Sequence, residues 1–193
     1  MNDLKDKWNA RYRDATKLPE AAWVLRENHY LLPHRGNALD LACGLGGNAI
    51  WLAQHGLTTW SWDISETAIT MLTAFSAERG LPIYAEVRNV QTHPPESGHF
   101  DVIVVSHFLD RSLSNSLITA LRPEGLLFYQ TFTRDRVDDT IGPKNPDFLL
   151  QQNELLRLFA PLRVVVYREE GRIGDITRGF RNKAMLVAQK RAA

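Results

Sequence analysis

Cysteine is nearly absent from this chain: Cys43 is the only one in 193 residues, which excludes an internal disulfide. No C-x-x-C or His-x-x-x-His spacing offers a zinc site, and the six histidines are scattered, so no metal centre is expected. An excess of charge is also missing, with 23 Lys plus Arg against 22 Asp plus Glu and a net charge of +1. That balance removes the electrostatic footprint expected for nucleic acid or an anionic membrane, and it leaves a small-molecule partner as the default. Long apolar runs are lacking, so no membrane span is expected. The first seven residues are charged where a signal peptide needs an apolar core, and the expected location is cytoplasmic. What is present is 44% hydrophobic content, enough for a sizeable core. The length fits one domain, expected as a helical cap over 1–33 on a ligand-binding core over 34–193, acting as a monomer or weak homodimer.

Periodicity and turn residues divide that domain. Helices are expected over 4–13 and 20–32, punctuated by Pro19 and Pro33, before the turn-forming stretch 34–37. A strand over 38–42 leads through glycines into a helix over 48–55 that ends at Gly56, and 58–62 alternates as a strand finishing at Asp63. Ser65 fits an N-cap for a helix carrying Ala68, Leu72 and Phe75 on one face and closed by Gly80 and Pro82. Strands follow over 83–87 and 100–106, the latter a continuous apolar run suited to burial on both faces. A short helix near 112–121, a Pro123-Glu124-Gly125 turn, a strand over 126–133, a polar loop over 134–147 and a helix around 153–159 come next. Strands over 162–167 and 184–189, joined by a short connection, form an antiparallel hairpin. The alternation predicts an α/β fold, a Rossmann-like seven-stranded, mostly parallel sheet with helices on both faces.

The chemistry concentrates after the first strand. Gly44, Gly46 and Gly47 allow a tight turn and close approach to a ligand, and the next helix aims its free N–H groups there. Asp63, about 20 residues on, can accept both hydroxyl hydrogens of a ribose. The pattern Gly44-x-Gly46-x-x-Ala49 also satisfies a dinucleotide fingerprint, so an NAD-dependent oxidoreductase is an alternative. Two features oppose it: Asp40 would place negative charge near a pyrophosphate, and none of the five tyrosines has a lysine four residues later. A cationic ligand would gain from Asp40.

The run Asp40-Leu41-Ala42-Cys43-Gly44-Leu45-Gly46 resembles motif I of class I S-adenosylmethionine-dependent methyltransferases. Trp62-Asp63 resembles the acidic ribose motif of that family, Phe100-Asp101-Val102-Ile103 its fourth strand, and 121–125 the turn before its fifth. Trp8, Tyr12 and the stretch 142–146 resemble the tellurite-resistance-type subgroup. The resemblance implies S-adenosylmethionine as cofactor and methyl transfer to a small acceptor such as a thiol or a chalcogen or metalloid oxyanion; a non-catalytic S-adenosylmethionine-binding protein is the other outcome. It implies that Ala42, Cys43, Gly44, Gly46 and Asn48 lie along the methionine part, with Asp40 at the amino group. Asp63 takes the ribose, Ile64, Asn89 and Val90 the adenine, and Ser106 the far side of the cofactor. Where the family usually has a carboxylate this chain has Asn89, which accepts a hydrogen bond without charge assistance. His107 is the candidate proton acceptor or substrate contact, Arg181 the candidate anion contact, and Trp8 with Tyr12 a candidate lid.

Overall fold

A computed structural model describes residues 2–192, apart from the side chain of Asn2. The terminal residues of the expected domain, Met1 and Ala193, lie outside the described residues. Seven strands form one sheet: β1 (Asn37–Leu41), β2 (Thr58–Asp63), β3 (Ile83–Val87), β4 (Phe100–Ser106), β5 (Leu121–Phe132), β6 (Arg163–Glu169) and β7 (Lys183–Gln189). Their order is β3-β2-β1-β4-β5-β7-β6, parallel from β3 to β5, with β7 antiparallel to both β5 and β6. The expected fold class is therefore the one observed.

Side-chain alternation decides what covers each face. Ala38, Val102, Val104, Phe128 and Val187 pack against α2 (Trp23–Glu27) and α3 (Gly47–Gln54). Their neighbours Leu39, Leu41, Ile103, Val105, Leu127 and Tyr129 point the other way, to α5 (Ser114–Ala120) and α6 (Glu154–Leu158). A strand covered on both sides reads as a continuous apolar run, which is why the sequence of β4 is legible. Helix α4 (Glu66–Arg79) starts at Ser65, whose hydroxyl accepts the Ala68 N–H, and ends at Gly80. On it lies α1 (Asn2–Tyr12), fixed by Asn9 Oδ1, which accepts from Ser65 Oγ at 2.8 Å and from the Thr67 N–H at 3.2 Å.

Two expected boundaries move. The helix expected over 20–32 is only the five residues of α2 followed by one tighter turn, His29–Leu31. Asn28 breaks it: with φ −115° it leaves helical geometry, and its buried side-chain amide donates to the Val24 carbonyl that a continuing helix would offer its backbone. The strand expected from 126 begins at Leu121, with Pro123-Glu124-Gly125 retained inside it as a kink where the β4–β5 register shifts. Among the described residues no helix is long and apolar enough to cross a membrane.

Gly47 marks where the N-terminal segment crosses the start of α3. A Cβ there would lie 2.5 Å from the Pro19 carbonyl oxygen and 2.9 Å from that of Glu20, both backbone atoms. Gly47→Ala is expected to lower stability by about 1–3 kcal/mol, read as a reduced urea midpoint at unchanged slope.

Candidate functional site

The carboxyl ends of the parallel strands converge beside β1, where the strand order reverses, the position at which open α/β sheets form their ligand crevice. The loop from β1 to α3 turns through left-handed conformations at Ala42 (φ 55°), Gly44 (φ 53°) and Gly46 (φ 77°). Gly46 is the N-cap of α3, and a Cβ on it would strike Leu72 of α4 at 2.4 Å. A Cβ on Gly44 would come within 2.6 Å of the Tyr12 hydroxyl, so the end of α1 lies directly on the loop.

Two buried carboxylates frame this turn. Asp40, with no exposed surface, accepts from Asn48 Nδ2 at 3.1 Å and from the Ala49 N–H at 3.1 Å. Burial pushes its pKa up to about 7 against those two hydrogen bonds, and the charge of Asp63 adds to the rise. Asp63, 7% exposed, accepts the Gly44 N–H on one oxygen and the Ser65 N–H on the other, each at 2.8 Å. Burial raises its pKa too, while those N–H groups pull it back. Each Asp63 oxygen keeps a lone pair, so the pair of acceptors that a ribose diol requires remains available.

Asn48 does not reach out from the helix. Its Nδ2 donates to Asp40 and, at 3.0 Å, to Ser106 Oγ, while its Oδ1 accepts the Ala22 N–H at 2.8 Å. It is a strut binding α3 to β1, β4 and the segment before α2, with every polar atom of the side chain engaged inside the protein, so only its backbone is free to meet a ligand. Cys43 is buried, and that burial holds its thiol well above its ordinary pKa. Ile64 follows β2, and Asn89 with the buried Val90 follows β3, where Asn89 Oδ1 accepts the Gln91 N–H at 3.0 Å.

On the other side of the crevice His107 follows β4 with φ 56°, its N–H bonded to the Gln130 carbonyl at 2.9 Å. Lys183 Nζ, from the first residue of β7, lies 2.9 Å from His107 Nε2, and Gln130 Nε2 lies 3.4 Å from the same nitrogen. Crowding by neighbouring atoms, and then the Lys183 charge, push the His107 pKa down to about 4, although the residue keeps an exposed edge. Lys183 and Gln130 were not among the sequence candidates. The register Phe132↔Lys183 and Ser106↔Gln130 brings them here, and no local motif encodes it.

Arg181 is turned elsewhere. Its Nε donates to the Arg178 carbonyl at 2.6 Å, its Nη1 to those of Gly171 and Ile173 at 2.9 Å, and its Nη2 to that of Asp175 at 2.8 Å. Here Arg181, the expected anion contact, clasps the hairpin loop, whose carbonyls accept from all three of its guanidinium nitrogens.

Residues 38–125 match the family profile described as "Methyltransferase domain". Among curated relatives, Ribosomal RNA small subunit methyltransferase C of Alcanivorax borkumensis is 32% identical over 104 residues, covering 48% of this chain and 31% of the relative. The Haemophilus influenzae protein named "Probable S-adenosyl-L-methionine-dependent methyltransferase TehB" is 24% identical over 135 residues, covering 68% and 47%. The chain thus spans a third to a half of the length of these relatives. The crystal structure of TehB from Haemophilus influenzae superimposes with a TM-score of 0.69 at 22% identity, over 97% of this chain and 67% of that one. The [4+2]-cyclase SpnF superimposes with a TM-score of 0.72 at 14% identity, over 100% and 94%. These likenesses identify a shared fold.

The Asp40 carboxyl gives a pH signature. Its folded pKa lies above the ordinary carboxylate value of 3.8, so the stability it contributes is complete below that value and is lost as pH rises toward 7. Urea unfolding of the native protein and Asp40→Asn from pH 4 to 8 checks this. The native-minus-variant difference is expected to fall by roughly 2–4 kcal/mol over the lower three units and then level off.

Proposed function

We propose that this chain is an S-adenosylmethionine-dependent methyltransferase acting on a small molecule. The observation that carries the reading is Asp63, held by the Gly44 and Ser65 N–H groups at the end of β2 beside a glycine turn, within the stretch that matches the methyltransferase domain. When bound, the cofactor supplies a methyl group activated on a sulfonium.

What this chain adds is binding, alignment and exclusion of water. Asp63 holds the ribose hydroxyls with its remaining lone pairs. Ala42, Cys43, Gly44 and Gly46 offer loop backbone to the methionine part, with Asp40 beneath them favouring an ammonium group. Ile64, Asn89 and Val90 flank the adenine side, and Ser106 the far wall. Tyr12, lying on Gly44, covers the turn. Fixing two reactants in line contributes about 7–11 kcal/mol of barrier reduction at its most favourable. The likeness to TehB, spanning nearly the whole chain, supports a tellurite-resistance-type enzyme with a thiol or a chalcogen or metalloid oxyanion as acceptor. SpnF shows that the fold also carries other chemistry, so multiple turnover with labelled cofactor is the decisive assay against a merely binding protein.

Asp63→Ala is expected to weaken S-adenosylhomocysteine binding about ten- to a hundredfold, roughly 1.5–3 kcal/mol, by calorimetry. Unchanged affinity in a folded variant would remove Asp63 from the site.

A further inference from the structure

Lys183 is a partly buried cation whose company is neutral. Its Nζ donates to His107 Nε2 at 2.9 Å, the Phe132 ring centre lies 5.1 Å away, and among the described residues no carboxylate stands within ion-pair distance. The other partly buried cations of the hairpin are compensated: Arg168 pairs with Glu170, and Arg181 with Glu170 and the loop carbonyls. Charges withdrawn from water are ordinarily paired, so an unmatched one at the mouth of a crevice is suited to receiving a counter-charge.

The partner geometry limits what His107 can do. An ammonium has donors only, so Nε2 of His107 supplies the lone pair and the ring is neutral, its proton on Nδ1. Gln130 approaches the same nitrogen. The atom that would accept a proton from an acceptor molecule is therefore already engaged. The backbone bond from His107 to Gln130 and the ring contact with Phe132, centroids 5.2 Å apart, fix the imidazole, and the imidazole in turn fixes Lys183.

We propose that Lys183 receives the methyl acceptor and selects one carrying negative charge at or beside its nucleophilic atom, a thiolate, carboxylate-bearing thiol or oxyanion, while His107 positions the ammonium. The inference rests on the methyltransferase reading and adds to it the residue that would select the acceptor by its charge. For an anionic nucleophile the step balances without a base. Its lone pair would form the new bond to the methyl carbon, the carbon–sulfur pair would return to sulfur, and one negative charge of the acceptor would be lost together with the positive charge of the sulfonium. A thiol enters as its thiolate, its proton given to bulk water before transfer, so none passes to a histidine whose lone pair is occupied.

The test uses the full chain saturated with S-adenosylhomocysteine and reads the His107 ring resonances by nuclear magnetic resonance, assigned with His107→Gln. Selenite and thioglycolate, both anionic at neutral pH, are expected to shift them, and neutral 2-mercaptoethanol is not. Lys183→Gln should weaken binding of both anions at least tenfold, Lys183→Arg should restore most of it, and calorimetry should show S-adenosylhomocysteine affinity within twofold of native in each variant. Equal anion binding by Lys183→Gln, or no anion response in a native protein that binds S-adenosylhomocysteine, overturns the proposal and leaves the methyltransferase reading standing. A native protein that fails to bind S-adenosylhomocysteine overturns the underlying reading and this inference with it.

Discussion

A carboxylate with no access to water, Asp40, is held at the centre of this molecule by one asparagine and one backbone N–H, and the crevice is built outward from that arrangement. Left unpaired it would be among the most costly groups to bury; hydrogen-bonded, it fixes the distance between β1 and the first turn of α3. Asn48 extends the network to Ser106 on β4 and to the Ala22 N–H, while Gln130 on β5 accepts the Val24 N–H. Ala22 has no side chain with which to cap α2, so neighbouring elements supply the acceptors that its free N–H groups need. The helical cap is thereby fastened to the same polar centre as the glycine turn.

The architecture was legible where burial imposes a period. β4 reads as a run of apolar residues because both its faces are covered, and Ala38 and Asp40 against Leu39 and Leu41 show which side of β1 faces which helix layer. The pattern misleads where one side chain overrides it. The stretch 20–32 carries enough apolar spacing for a long helix, but Asn28 competes for a backbone carbonyl, a choice made favourable by its burial in the tertiary structure.

Site residues in contiguous motifs were similarly accessible. Asp40, the glycine turn and Asp63 are placed by one βαβ unit, and their positions follow from its geometry. Asn48 belongs to the same motif, yet its inward orientation depends on Ser106 and Ala22, 58 and 26 positions away. Gln130 depends on the parallel register between β4 and β5, and Lys183 on the antiparallel register between β5 and β7, neither of which anything local announces. Arg181 misleads for the opposite reason. In sequence it is a hairpin arginine resembling an anion ligand, and only the path of the loop shows that backbone carbonyls occupy its donors.

Helix α1 touches the body of the protein through few polar bonds: Asn9 to the start of α4, and the exposed Lys5–Glu66 pair. Bonds of that kind are worth about 1 kcal/mol each and a surface ion pair less, and an eleven-residue helix is marginal by itself. Because Tyr12 sits on Gly44, the end of α1 covers the glycine turn, and undocking of the helix would uncover it. Local fraying of so lightly bonded a helix would expose that turn while the sheet beneath stays intact.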